Sequence, residues 1–120
     1  MILVDTSIWI DHLRARDERL VHLLTGGTVL SHPFVIGEIA LGGLRNPARV
    51  LTELQRLPVA CVATDKEVLH LIHDRALSGR GIGNVDAHLL AAVRLSAGAT
   101  LWTRDKRLLA VARELSLASH

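Results

Sequence analysis

A chain of 120 residues, 49% hydrophobic and 22% charged, is too short for a second core and too apolar for disorder. The only aromatic residues are Trp9, Phe34 and Trp102, which calls for an aliphatic core and excludes an aromatic stacking platform for single-stranded nucleic acid. A net charge of +2, carried mostly by arginine, hints weakly at a polyanionic partner, and the single Cys61 excludes a disulfide framework and fits a reducing compartment.

The elements alternate along the chain. Ile2-Leu3-Val4 reads as a strand buried on both faces, ending at Asp5. Thr6 or Ser7 then caps a helix to about Leu13, and a second short helix runs from Glu18 to Leu24, closed by Gly26-Gly27. Thr28 to Leu30 is a second strand. Ser31 or His32 caps a helix with Pro33 in its first turn, carrying Phe34 to Leu41. Asn46-Pro47 opens another helix, to about Arg56. Val59 to Val62 reads as a third strand, which would bury Cys61. Asp65 caps a long helix to about Leu77. The glycine-rich loop 79–83 leads into a helix from Asn84 to about Ser96, Thr100 to Trp102 is a fourth strand, and Asp105 starts the last helix, to about Leu115. Loop 79–83 follows a helix rather than a strand and lacks nucleotide-loop spacing, so its role is to let the next helix begin close to a site.

This alternation predicts an α/β fold in a single domain over residues 1–120. A mostly parallel sheet of four or five short strands is flanked by helices in three layers. The absence of a secretory pattern or a long apolar run predicts a cytoplasmic protein with no membrane association. In such sheets function gathers at the carboxyl ends of the strands. Asp5 follows the first strand, Asp105 follows the last by two residues, and Asp86 lies in the first turn of the preceding helix. Each has an ordinary alternative role as a loop acceptor, a helix cap or a first-turn acid.

Glu38 shares its helix face with Phe34, Val35 and Leu41 and has no lysine or arginine three or four residues away. An inward carboxylate needs a partner. A divalent cation shared by Asp5, Glu38, Asp86 and Asp105 would supply it. Oxygen donors without cysteine or histidine point to magnesium, with manganese as a substitute. Such a cluster suits phosphoryl transfer, in which the metal activates water and stabilises the departing oxygen. His70 and His73 lack a third ligand, which argues against zinc.

Four segments, in order, resemble the PIN-domain ribonucleases: Val4-Asp5-Thr6-Ser7-Ile8-Trp9-Ile10-Asp11; Val35-Ile36-Gly37-Glu38-Ile39-Ala40; Gly83-Asn84-Val85-Asp86-Ala87-His88-Leu89-Leu90-Ala91-Ala92; and Leu101-Trp102-Thr103-Arg104-Asp105-Lys106-Arg107-Leu108. The resemblance covers essentially the whole chain, and in size the chain is similar to the VapC toxins of bacterial toxin–antitoxin pairs. It departs from the pattern at Asn84, where many relatives carry a further acid that would strengthen a second metal site.

The resemblance implies a metal-dependent endoribonuclease that leaves a 5′-phosphate and a 3′-hydroxyl. It also implies a homodimer inhibited by a small antitoxin that inserts into the acidic groove. Asp5 and Asp86 would be direct metal ligands, Asp105 a direct or water-mediated one, and Glu38 the holder of a metal-associated water. Thr6 and Thr103 would orient the carboxylates. Arg80 and Arg104 are candidate RNA-phosphate contacts, Asp11 reads as a surface acid, and the stripe Ile36, Ile39, Ala40 and Gly43 is either a dimer surface or plain core. The competing readings are a non-catalytic binding module with a decayed site and a receiver-like signalling domain. The latter gives the helical Glu38 no role.

Overall fold

Leu3 and Val4 are completely buried, and the unbroken apolar segment β1 (Ile2–Val4) is the central strand of the sheet. A computed structural model describes residues 1–119. In it β2 (Val29–Leu30) and β3 (Thr100–Trp102) flank β1, both parallel to it, in the order β2-β1-β3. The register pairs Ile2 with Val29 and Thr100, and Val4 with Trp102. All three strands therefore end on the same edge, which is where the helices that follow them begin.

The helices are α1 (Thr6–Arg14), α2 (Glu18–Thr25), α3 (Pro33–Ala40), α4 (Pro47–Gln55), α5 (Asp65–Asp74), α6 (Asn84–Leu95) and α7 (Lys106–Glu114). Every predicted helix is present, with ends shifted by a few residues, as fraying and capping allow. The long helix after position 64 stops at Asp74 because Ala76 turns left-handed (φ 52°). The Leu77 amide then reaches back to the Ile72 carbonyl at 3.0 Å. Asp65 is not its cap: the Thr64 hydroxyl accepts from the Glu67 amide, and the Glu67 side chain accepts in return from the Thr64 amide.

α6 is apolar nearly all round. Ala87 to Val93 are all buried, so this helix is sandwiched between α5 and β3. α1 packs on α3, and α3 on α4. No described helix is long and apolar enough to cross a membrane.

Among the described residues the sheet has three strands, fewer than the four or five expected. The predicted strand at Val59 to Val62 shrinks to a single parallel bridge between Val59 and Ser31. Pro58 lacks an amide donor, and the Cys61 amide donates to the Ser96 hydroxyl at 2.9 Å instead of to a neighbouring strand. Val59, Cys61 and Val62 are accordingly exposed, which corrects the reading of Cys61 as a buried strand residue. On the opposite edge a further single bridge joins Leu101 to Ala118, so the last residues extend the sheet beside β3.

α3 enters through His32, whose ring nitrogen Nδ1 accepts from the Phe34 amide at 3.0 Å. This cap requires the neutral imidazole, because a protonated Nδ1 has no lone pair to accept with. His32 is fully buried and its Nε2 has no partner. Burial first, and the neighbouring His88 second, lower its pKa from 6.5 to about 4.

Because the folded pKa lies below the unfolded one, the unfolded chain takes up the proton first. Stability present above pH 6.5 is therefore lost as pH falls through the window down to about 4, on the order of 2–3 kcal/mol. Urea denaturation between pH 7.5 and 4.5 is expected to show this slope. His32→Asn, which keeps a capping oxygen without the titration, is expected to flatten it. Equal slopes in the two proteins would rule the cap out as the source.

Candidate metal centre

Asp5 lies one residue past β1, and its amide continues the β1–β3 ladder by donating to the Trp102 carbonyl at 2.9 Å. Asp5 is nearly buried, at 7% exposure, and three donors reach its carboxylate. Oδ1 accepts from the Thr6 amide at 2.8 Å, which makes Asp5 itself the cap of α1 in place of Thr6 or Ser7. Oδ2 accepts from the Thr103 hydroxyl at 2.7 Å and the Ser7 hydroxyl at 3.0 Å. A carboxylate with this many donors is held in a single orientation.

Thr103 ties Asp5 to the next acid. Its oxygen also accepts from the Asp105 amide at 3.1 Å. Asp105 is exposed and caps α7, with Oδ1 accepting from the Arg107 and Leu108 amides at 3.0 Å each. Thr6 has a partner of its own: its hydroxyl donates to Glu38 Oε1 at 2.8 Å, joining α1 to α3. Glu38 is solvent-exposed on α3, beside the partly exposed Phe34, while Val35 and Ile39 form the buried face. The expected inward position of Glu38 is thereby corrected. Around the helix it stands roughly 100° from the buried Ile39, and its partner is the Thr6 hydroxyl on α1.

Asp86 sits in the first turn of α6, where Oδ2 accepts from the Gly83 amide at 3.0 Å. Its pKa is raised, first by partial burial and then by the negative charges of Asp5, Asp105 and Glu38, against the lowering effect of the Gly83 bond. Four acids from separate elements thus share one electrostatic environment. Three of them stand at helix amino termini, where the dipole partly offsets their mutual repulsion. Loop 79–83 brings α6 to this place. Gly81 has φ +80°, and a β-carbon there would meet the Arg107 Cδ at 2.8 Å, so the loop lies directly on the start of α7. Asn84, at the first position of α6, is exposed.

The donor set fits a hard divalent cation: it offers only oxygen, one half-buried carboxylate has its proton affinity raised by three others, and a cation would reverse each of those repulsions. Among the described residues no three of these side chains are yet gathered closely enough to grip one ion.

The two arginines expected to meet phosphate are both engaged by carboxylates. Arg80 makes a two-pronged pair with Glu114, at 2.8 Å in each arm. Arg104 donates to Asp11 Oδ2 at 2.5 Å and to Asp17 Oδ2 at 2.6 Å. Asp11, read from sequence as a plain surface acid, and Asp17, the cap of α2, thus anchor the turn that carries Asp105. Ser7 went unrecognised as an Asp5 donor. Its signal was a hydroxyl two residues after an acid that ends a strand. Of the candidate dimer stripe, Ile39 is core, Ile36 is half-buried, and Ala40 and Gly43 are exposed.

Comparison with known proteins is consistent with this geometry. A PIN-domain profile matches residues 2–114. Two curated proteins, each called Ribonuclease VapC32 and belonging to two strains of Mycobacterium tuberculosis, are 53% identical over 118 residues, or 98% of this chain and 95% of theirs.

Thr103 can be tested alone. Thr103→Val keeps the shape but removes a donor from Asp5 and an acceptor from the Asp105 amide, and is expected to cost about 1–3 kcal/mol in urea denaturation. Thr103→Ser is expected to recover most of that. A neutral Thr103→Val would mean that the hydroxyl does not join the two acids.

Proposed function

The chain belongs to the PIN-domain family, and from that premise we propose that it is a divalent-metal-dependent endoribonuclease of the VapC toxin type, held in check by a cognate antitoxin. The observation that supports the reading is the hydrogen-bonded junction in which Thr103 joins Asp5 to the Asp105 amide and Thr6 holds Glu38, with the pKa of Asp86 raised by partial burial and further by the charges of Asp5, Asp105 and Glu38. The 53% identity to proteins called ribonucleases supports the choice of RNA as substrate.

In this reading Asp5 and Asp86 hold the metal directly, and Asp105 does so directly or through water. When bound, magnesium (or manganese in its place) supplies a Lewis acid for the scissile phosphate and makes a neighbouring water more acidic. The chain's own residues do the rest. Thr103 and Ser7 fix the Asp5 carboxylate, and Thr6 holds Glu38, which accepts the proton of the attacking water from its exposed position. In this reading water adds to phosphorus and the P–O3′ bond breaks, so that one product keeps a 5′-phosphate and the departing oxygen, once protonated, becomes a 3′-hydroxyl. Cytoplasmic residence and homodimerisation belong to the same proposal. α3 leaves Phe34 and Leu41 exposed, and that face is available to a second copy.

The test is cleavage of a mixed RNA pool by purified, partner-free protein with magnesium, manganese or a chelator, beside Asp5→Asn and Asp86→Asn. Wild-type cleavage is expected to require metal. Each folded variant is expected to lose more than the ~10–100-fold typical of an outer-shell change. A metal-loaded wild type that cuts no RNA would displace the nuclease reading in favour of a binding module. In chelator, Asp86→Asn is expected to be at least as stable as wild type in thermal melts, since it relieves repulsion while an amide oxygen can still accept from Gly83. Clear destabilisation would contradict the shared field.

A further inference from the structure

α3 carries Glu38 and α6 carries Asp86, yet α3 packs on α1 and α4 while α6 packs on α5 and β3. Three rings reach between the two helices. Phe34, in the first turn of α3, lies 5.3 Å from the His32 ring and 4.7 Å from the His88 ring of α6, centroid to centroid and tilted against both. The two imidazoles are buried, while Phe34 is 39% exposed. Each imidazole is itself oriented. His32 Nδ1 accepts from the Phe34 amide at 3.0 Å, and His88 Nε2 stands 3.5 Å from Asp65 Oδ1 at the start of α5.

Both imidazoles leave one buried nitrogen without a partner, Nε2 of His32 and Nδ1 of His88. In the neutral ring, accepting at Nδ1 puts the His32 proton on Nε2, and the Asp65 carboxylate draws the His88 proton to its Nε2. The two unpartnered atoms are therefore a donor and an acceptor. Leucine would fill either place without burying a polar atom. Histidine at both places points to a role beyond filling the core.

Glu38 follows Phe34 by four residues, so the two stand one above the other on α3. Glu38 is exposed, and the Thr6 hydroxyl of α1 donates to it at 2.8 Å. That bond holds the carboxylate in place only while the rotation of α3 is held. A turn of α3 about its axis that lifted Phe34 off His88 would carry Glu38 with it. We infer that His32, Phe34 and His88 are positioning residues: their ring cluster sets the rotation of α3 against α6, and with it the place of Glu38 relative to Asp86. This rests on the ribonuclease reading above, in which Glu38 accepts the proton of the attacking water.

The experiment compares wild type with Phe34→Leu, Phe34→Tyr, His88→Leu, Glu38→Gln and the double variant Phe34→Leu/Glu38→Gln. RNA cleavage with magnesium gives kcat and KM, manganese affinity is measured without RNA, and melting curves confirm that each variant folds. Phe34→Leu and His88→Leu are each expected to lower kcat roughly 10–100-fold at unchanged KM, as misplacing a working group does. Manganese affinity is expected to stay at the wild-type value. Phe34→Tyr keeps the ring and is expected to keep wild-type kcat. In the Glu38→Gln background, Phe34→Leu is expected to cause no further loss. Unchanged kcat in the folded Phe34→Leu and His88→Leu variants, or the same loss repeated in the Glu38→Gln background, would overturn the positioning role. A fall in manganese affinity would also overturn it, since the rings would then support the acidic centre at large. A kcat that recovers at high protein concentration would overturn it too and give the Phe34 face to a second copy. Metal-loaded wild type that cuts no RNA would remove the ribonuclease reading and this role with it.

Discussion

The junction between β1 and β3 determines where everything else in the site can be. The two strands are parallel and in register, so Asp5 and Thr103 emerge side by side although 98 residues separate them. The Asp5 amide donates to Trp102, and the Thr103 hydroxyl donates to the Asp5 carboxylate and accepts from the Asp105 amide. A buried carboxylate without such donors would be costly. Here the strand ends that create the burial also supply the compensation.

The acids proposed as the metal site also have structural roles. Asp5 and Asp105 cap helices, and Asp86 satisfies the amide of Gly83. In each case the helix amino terminus stabilises the negative charge and also fixes which way it faces. The ordinary capping roles of Asp5 and Asp105 are thus observed, and they stand beside the metal-site role proposed for them. The repulsion registered at Asp86 becomes visible only when the elements are assembled. The arginines follow a related logic. Arg104 is spent on Asp11 and Asp17, which fastens the turn before α7, and Arg80 fastens the loop before α6 to the end of α7. Both pairs steady the segments that carry Asp105 and Asp86.

Much of the fold was legible in local patterns. The apolar run before Asp5, the cap and proline before Phe34, the helix opening at Asn84 and the helix that starts after Asp105 all report their structure through local residue types. The segment at Val59 to Val62 misled because its β-branched residues satisfy strand propensity, whereas pairing depends on donors and neighbours. Pro58 has no donor to give, and Ser96 draws the Cys61 amide away. Glu38 misled for a different reason. On a short helix rich in apolar residues the hydrophobic arc is broad, and only packing against α1 and α4 decides which part of it is core.

The sequence by itself determined the α/β alternation and singled out four acids with oxygen-only donors as the candidate site, because these depend on residue type and short-range spacing. Tertiary structure alone decided that Thr6 serves Glu38 while Ser7 and Thr103 serve Asp5, and that both expected phosphate arginines are held by carboxylates. Those outcomes depend on which side chains come within hydrogen-bonding distance once parallel strands are paired, and a distance between residues a hundred positions apart is not encoded in any local period.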